Sequence, residues 1–137
     1  MREEVRARGH EHVAATHDST FEVTTDDWLT PAGDCIVGVE ADRAPADFDD
    51  DFVAACRDPE ATITLTLSAA DESVSVRARG HPDLGFESDR SAVIRTSTYV
   101  DDRTVAVGAD AAAADLDRDL VDALATGADL TVTLAVE

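Results

Sequence analysis

The chain has 137 residues and a formal net charge of −19, from 30 Asp and Glu against 11 basic residues. Every basic residue is Arg, and Lys, Asn and Gln are absent. That length suits one domain over 1–137, burying roughly two-thirds of its unfolded surface without staples, and no stretch nears the ~18 apolar residues of a spanning helix.

Carboxylates interleaved with regular apolar periodicity argue against a disordered acidic tail. A surface-wide carboxylate excess without Lys reads instead as adaptation to molar intracellular salt, where the Debye length falls to about 3 Å and self-repulsion is screened. The composition therefore points to a halophile. It also weakens any argument from acidity against a nucleic-acid partner. Met1–Gly9 is charged and has no signal-peptide pattern, so a cytoplasmic protein is expected. In a reducing cytoplasm Cys35 and Cys56 are expected to stay unpaired.

Met1–Arg8 reads as a mobile or edge segment. His10–Thr16 reads as a strand, with His10, His12 and Ala14 on one face. Ser19–Thr24 is the next strand, with Phe21 and Val23 inward and Thr20, Glu22 and Thr24 outward. Thr24-x-x-Asp27 suggests one helical turn over Asp26–Leu29. Gly33-Asp34 makes a sharp turn into a strand on which Cys35 shares a face with Val37 and Val39. Asp47 is a candidate N-cap for a short helix whose Phe48, Phe52, Val53 and Cys56 form one stripe, ended by Pro59. Thr62–Ser68 alternates, with Ile63, Leu65 and Leu67 buried. Glu72–Arg79, Ser91–Tyr99 and Arg103–Val107 are further strands. A second helix starts at Asp115 with the stripe Leu116, Leu120, Val121 and Leu124 and stops at Gly127. Leu130, Val132, Leu134 and Val136 mark the last strand.

The second half repeats the first. Val37–Asp49 aligns with Val105–Asp117 at constant offset, Cys56 falls on Leu124, and Ile63-Leu65-Leu67 falls on Leu130-Val132-Leu134 after a one-residue gap. Gly9-His10 echoes Gly80-His81. The expected fold is mainly β: a pseudo-two-fold β-barrel or sandwich from an internal duplication, with pseudo-repeats at about 9–68 and 72–136 and two short α-helices. Cys56 matches a core leucine and Cys35 lies on a valine face, so both thiols are expected to be buried and inert.

Several strings resemble one known family. They are Gly9-His10, Ala15-Thr16-His17-x-x-Thr20-x-Glu22-x-Thr24, Leu29-Thr30-x-x-Gly33-Asp34-Cys35-Ile36 and Ile94-Arg95-x-Ser97-x-Tyr99-x-x-x-Arg103-Thr104. Together they resemble the archaeal family called domain of unknown function 371, from about Gly9 to the last strand. Asp18-Ser19 departs from the Lys/Arg-Thr pattern before Thr20. The resemblance implies an archaeal, mainly-β domain and brings no activity, so it assigns no catalytic residue and no cofactor.

Polar residues concentrate in two stretches, His10 to Asp34 and Arg95 to Arg103. On a metal reading, His10 and His12 are weak candidates, with His17 and Glu22 completing a nitrogen/oxygen set; edge-strand histidines are the plainer alternative, and no metal is assigned. On an acid–base reading, His17 transfers a proton, Glu22 or Asp34 orients it, Arg95 or Arg103 holds an anion, and Thr20 or Ser97 is a possible hydroxyl nucleophile without an elbow motif. The alternative is a structural hydrogen-bond network. On a nucleic-acid reading, Arg77, Arg79, Arg90, Arg95 and Arg103 lie in the second half, where some could share a face, although no stacking set or phosphate loop accompanies them. The favoured expectation is one pocket, formed by His17, Thr20, Glu22, Asp34, Arg95, Ser97 and Arg103, for a small polar or anionic ligand.

Overall fold

In a computed structural model covering Met1–Glu137, eight strands and two α-helices follow one another as β1 (Arg2–Arg8), β2 (Thr20–Thr24), β3 (Ile36–Gly38), α1 (Asp50–Cys56), β4 (Thr62–Ala69), β5 (Glu72–Arg79), β6 (Ser91–Arg95), β7 (Thr104–Ala106), α2 (Arg118–Ala125) and β8 (Asp129–Val136). They build two four-stranded sheets. The first, in the order β1-β8-β4-β5, is antiparallel throughout. The second runs β3-β2-β6-β7, with a central antiparallel pair and a parallel strand on each edge. Single bridges, Arg8–Val39 and Arg79–Val107, touch the sheets together at two corners. The ladders do not continue through those bridges, so the strands do not close into a barrel.

The first sheet forms because its strands alternate strictly. Ile63, Leu65 and Leu67 of β4 lie opposite Val136, Leu134 and Val132 of β8. All six are buried. The intervening Thr62, Thr64, Thr66 and Ser68 face outward, and Thr66 and Ser68 reach the hydroxyls of Ser75 and Ser73 on β5. Phe21, Val23 and Ile94 of the second sheet join the same core. Phe48, Phe52 and Phe86 contribute a cluster with edge-to-face contacts, Phe48–Phe52 being 5.8 Å between ring centres.

The orders of both sheets read the same when β1–β4 are exchanged with β5–β8. The likeness reaches the backbone. Ala15 and Phe86 both hold positive φ (50° and 51°), as do Glu40 and Gly108 (55° and 59°). Such values cost a residue with a side chain about 1 kcal/mol, so their recurrence 71 and 68 positions apart reflects shared local geometry. The halves also interlock. β1 pairs with β8 and β5 with β4, and each glycine ending such a strand presses on the other half's helix. A Cβ on Gly9 would sit 1.9 Å from the Leu124 carbonyl oxygen, and one on Gly80 2.2 Å from that of Cys56.

Several sequence expectations require correction. His10–Thr16 is a loop, because β1 already ends at Arg8 and the Gly9 contact turns the chain. Met1–Arg8 is the edge segment and carries β1. No helical turn forms over Asp26–Leu29. Asp47 and Asp115 do not cap the α-helices. Each accepts the N–H of Ala44 or Ala112 and closes a short 3-10 turn, and Phe48 and Leu116 then return to extended backbone. The α-helices are capped two residues later by Asp49 and Asp117. Both expected helical stripes are buried. The strand expected over Ser91–Tyr99 ends at Arg95.

Gly9→Ala and Gly80→Ala each require a backbone shift at a helix end, a strain of at least about 2 kcal/mol. Thermal unfolding should show both variants losing roughly 5 °C or more. Wild-type melting temperatures would refute the close packing of strand ends on helices.

Candidate functional site

Phe21 and Val23 point into the core, so Thr20, Glu22 and Thr24 take the opposite face of β2. Antiparallel register sets Arg95, Val93 and Ser91 of β6 directly across from them. This outer face is not solvent-washed. Thr24, Ser91 and Val93 are buried, and Glu22 is only 9% exposed. A cavity of about 400 Å³ lies over the Glu22 end of the face. Glu22, Ser91 and Arg103 line it together with Asp26, Trp28, Ile36, Ser88, Asp89, Arg90 and Asp102.

Asp101 anchors one wall. Its Oδ2 accepts hydrogen bonds from Arg95 at 2.9 Å and Arg103 at 3.0 Å, and its Oδ1 accepts from the Arg103 N–H and the Thr104 hydroxyl. Burial opposes ionisation, but the donors from Arg103 and Thr104 prevail and hold this carboxyl well below the usual range. Arg95 also donates to Thr104 Oγ1 and lies 4.9 Å from the centre of the Tyr99 ring. On the opposite wall Asp26 receives Arg90 in a bidentate pair, which lowers its pKa.

Glu22 differs from both. Its closest cation is Arg103 Nη1, an ion pair at 3.8 Å that is beyond hydrogen-bond reach, and the Cys35 thiol lies 3.9 Å from its Oε1. Burial pushes the Glu22 carboxyl above its ordinary value, only partly offset by the Arg103 charge and by Ser91. A mostly buried carboxylate with a raised pKa and one distant ion-pair partner, set in a cavity wall, marks a candidate site.

The other expected residues are distributed as follows. Thr20 lies directly across from Arg95 on the same face, and His17 sits just beyond it. His17 Nδ1 accepts the N–H groups of Ser19 and Thr20, so it caps the start of β2. Ser88 Oγ does the same for Arg90 and Ser91 at the start of β6. No carboxylate bonds to His17, so Glu22 and Asp34 do not orient it. Asp34 acts through its carbonyl, which accepts from Thr16 and His17. Ser97 is exposed in a bend beyond the end of β6 and only caps Tyr99. The seven residues therefore do not converge: Glu22 and Arg103 line the cavity, Arg95 and Thr20 extend the same face, and His17, Asp34 and Ser97 do not join it.

His10 and His12 share a loop with ring centres 5.2 Å apart, and His10 Nδ1 accepts the His12 N–H. They do not meet His17 or Glu22 in a ligand cluster; the only three-ligand group, Glu72, Asp117 and Asp119, is elsewhere. The arginines of the nucleic-acid reading fall into two groups. Arg77 and Arg79 project from the outer face of the first sheet, opposite Thr64 and Thr62, whereas Arg90, Arg95 and Arg103 are paired with carboxylates beside the second.

Cys35 is not a core residue. The strand begins only at Ile36, so the alternation with Val37 and Val39 does not reach it, and its half-buried thiol turns toward Glu22. Burial and the Glu22 charge raise its pKa. Cys56 is buried, and burial alone pushes its thiol up to about 12. Trp28 lines the cavity, although no sequence expectation includes it. Its signal was its rarity: it is the only Trp, set among acidic residues, and it is 55% exposed.

The raised Glu22 pKa fixes the sign of a pH test. The folded state holds this proton more tightly than the unfolded chain, so the associated stability is present below about pH 4 and is lost as pH rises through the folded value. Glu22→Gln cannot ionise. The variant should melt above wild type at pH 7, with the difference vanishing near pH 4. A variant that is less stable than wild type at pH 7 would show that ionised Glu22 is well paired.

Comparison with known proteins agrees over nearly the whole chain. Residues 5–137 match the family described as Domain of unknown function (DUF371). The uncharacterized protein MJ0206 of the archaeon Methanocaldococcus jannaschii is 34% identical over 132 residues, which cover 96% of this chain and 97% of the relative. The chain belongs to the DUF371 family.

Proposed function

We propose that the cavity over Glu22 is a binding site for a small polar ligand. The carrying observation is the Glu22 carboxylate, 9% exposed at the cavity wall and facing only a 3.8 Å ion pair with Arg103, beyond hydrogen-bond reach. A structural network satisfies its members, as Asp101 is satisfied by two arginines and a threonine. Glu22 retains acceptor capacity that a ligand donor can fill. Trp28 and Ile36 supply apolar surface beside it. Binding is favoured over His-based acid–base catalysis because His17 Nδ1 is committed to backbone N–H groups.

Because Trp28 is the only tryptophan, its emission reports on the cavity directly. In a thermal-shift screen of small polar metabolites, a true ligand should raise the melting temperature and change Trp28 emission in wild type, with both effects lost in Glu22→Gln. Stabilising compounds that act equally on the variant would remove this cavity as the site.

We also infer that the matched halves arose by internal duplication, giving a pseudo-two-fold, sandwich-like arrangement of the sheets, and that the protein works in a salt-rich cytoplasm. The charge of −19 and the absence of Lys support the second point. On dilution of KCl from molar to millimolar, circular dichroism should show loss of β structure. Unchanged spectra would end the halophilic reading.

A further inference from the structure

We infer that the ligand of this cavity is an organic cation, an alkylguanidinium or alkylammonium group that donates N–H bonds to Glu22 and rests against Trp28. The inference depends on the cavity reading above and names the ligand class.

Charge carries it first. Four carboxylates, Glu22, Asp26, Asp89 and Asp102, face only two guanidinium groups in the lining. Both arginines are already engaged, Arg90 by Asp26 and Arg103 by Asp101. An anion would have to take these guanidinium groups from their carboxylates while meeting four like charges, an unfavourable juxtaposition.

Desolvation carries it next. Glu22 is buried enough for its ionised form to be disfavoured, and its own cation stands off at 3.8 Å. A ligand N–H donor placed against this carboxylate forms a charge-assisted bond in a poorly hydrated setting, where it counts for most. The aromatic wall points the same way. The chain spends few aromatics, and three of its four Phe residues pack together in the interior. Its single Trp is nevertheless 55% exposed, at this cavity. A Trp side chain in the lining beside carboxylates offers an organic cation an aromatic contact, through the ring quadrupole.

Spacing separates an organic cation from a metal ion. No three of the cavity's ligand-type atoms lie within 4.8 Å of one another; the one group that does, Glu72, Asp117 and Asp119, lies outside the cavity. A space of about 400 Å³ with dispersed carboxylates suits an extended cation with several donors.

Four probes of known charge test the class. Butylguanidinium, neutral butylurea and anionic butyrate share a chain and differ in the head group, and spermidine is a longer polycation. With ionic strength held constant by KCl, butylguanidinium or spermidine should raise the melting temperature by at least about 2 °C near saturation and shift Trp28 emission. Butylurea and butyrate should do neither. Glu22→Gln should abolish the cation effect while retaining the wild-type circular dichroism spectrum, and Trp28→Leu should weaken the thermal shift. If butyrate or butylurea acts as strongly as the cation and requires Glu22, the cavity reading survives and the cation class is overturned. If the cations act equally on wild type and Glu22→Gln, their effect is general ionic stabilisation and the class is again overturned. If neither cation acts, the class fails, and the metabolite screen alone decides the fate of the cavity.

Discussion

The antiparallel ladder between β4 and β8 is the contact on which the rest of the molecule depends. Each half contributes one of these central strands, and Ile63, Leu65 and Leu67 meet Val136, Leu134 and Val132 across it. Complete burial of each such side chain contributes roughly 1.5–3 kcal/mol before entropy is counted. The neighbours of the ladder are exchanged between halves, β1 lying on β8 and β5 on β4. Neither half can satisfy its own edge, so the first sheet exists only when both are present. With that sheet fixed, β2 and β6 need to offer it only one face. Phe21, Val23 and Ile94 supply that face, which leaves the opposite one free for polar side chains.

Equivalent positions in the halves separate structural requirement from chemistry. His17 and Ser88 are different residues that cap strand starts in the same manner. The imidazole there needs no functional explanation. Glu22 presents the opposite case. Its equivalent, Val93, is also its cross-strand partner and is 2% exposed. An apolar residue thus suits the position in one half, whereas the other half carries a carboxylate against its desolvation penalty. The surroundings diverge with it. Arg95, Asp101, Arg103 and Thr104 form a satisfied polar wall, while Thr24, Gly33, Cys35 and Ile36 occupy the corresponding places in the first half. The asymmetry of the site arises from side chains set on a closely similar backbone.

The elements with strong periodicity were legible in the sequence, and the site was legible only in part. β4, β5 and β8 could be read because one face is buried and the other wet, which writes alternation directly into the residues. The helix stripes were visible for the same reason, but the caps were displaced because Asp47 and Asp115 close 3-10 turns before the α-helices start. His10–Thr16 imitated a strand because Val13 and Ala15 fall on the face opposite His10, His12 and Ala14, although the Gly9 contact that turns the chain is made with α2, more than a hundred residues away. Glu22 and Arg103 could be selected as polar residues opposite apolar neighbours. Trp28 and Asp26 could not, since their position at the cavity is set by loop geometry and by the Arg90 pair. Cys35 was misassigned because alternation was extended one residue past the real start of β3.

The acidity of the surface and the burial of Glu22 also bear on each other. In the molar salt proposed above, charges more than about 3 Å apart scarcely interact through solvent. An exposed carboxylate under those conditions meets abundant inorganic cations and discriminates little among them. Selectivity then has to come from contact: a carboxylate withdrawn from water, an aromatic face, and hydrogen-bond directions that a spherical ion cannot satisfy. Glu22 beside Trp28 combines the first two, and the held positions of Arg90 and Arg103 bound the space in which a donor can approach. On the proposed reading, the cost of keeping Glu22 buried is a condition for recognition where long-range electrostatics is screened.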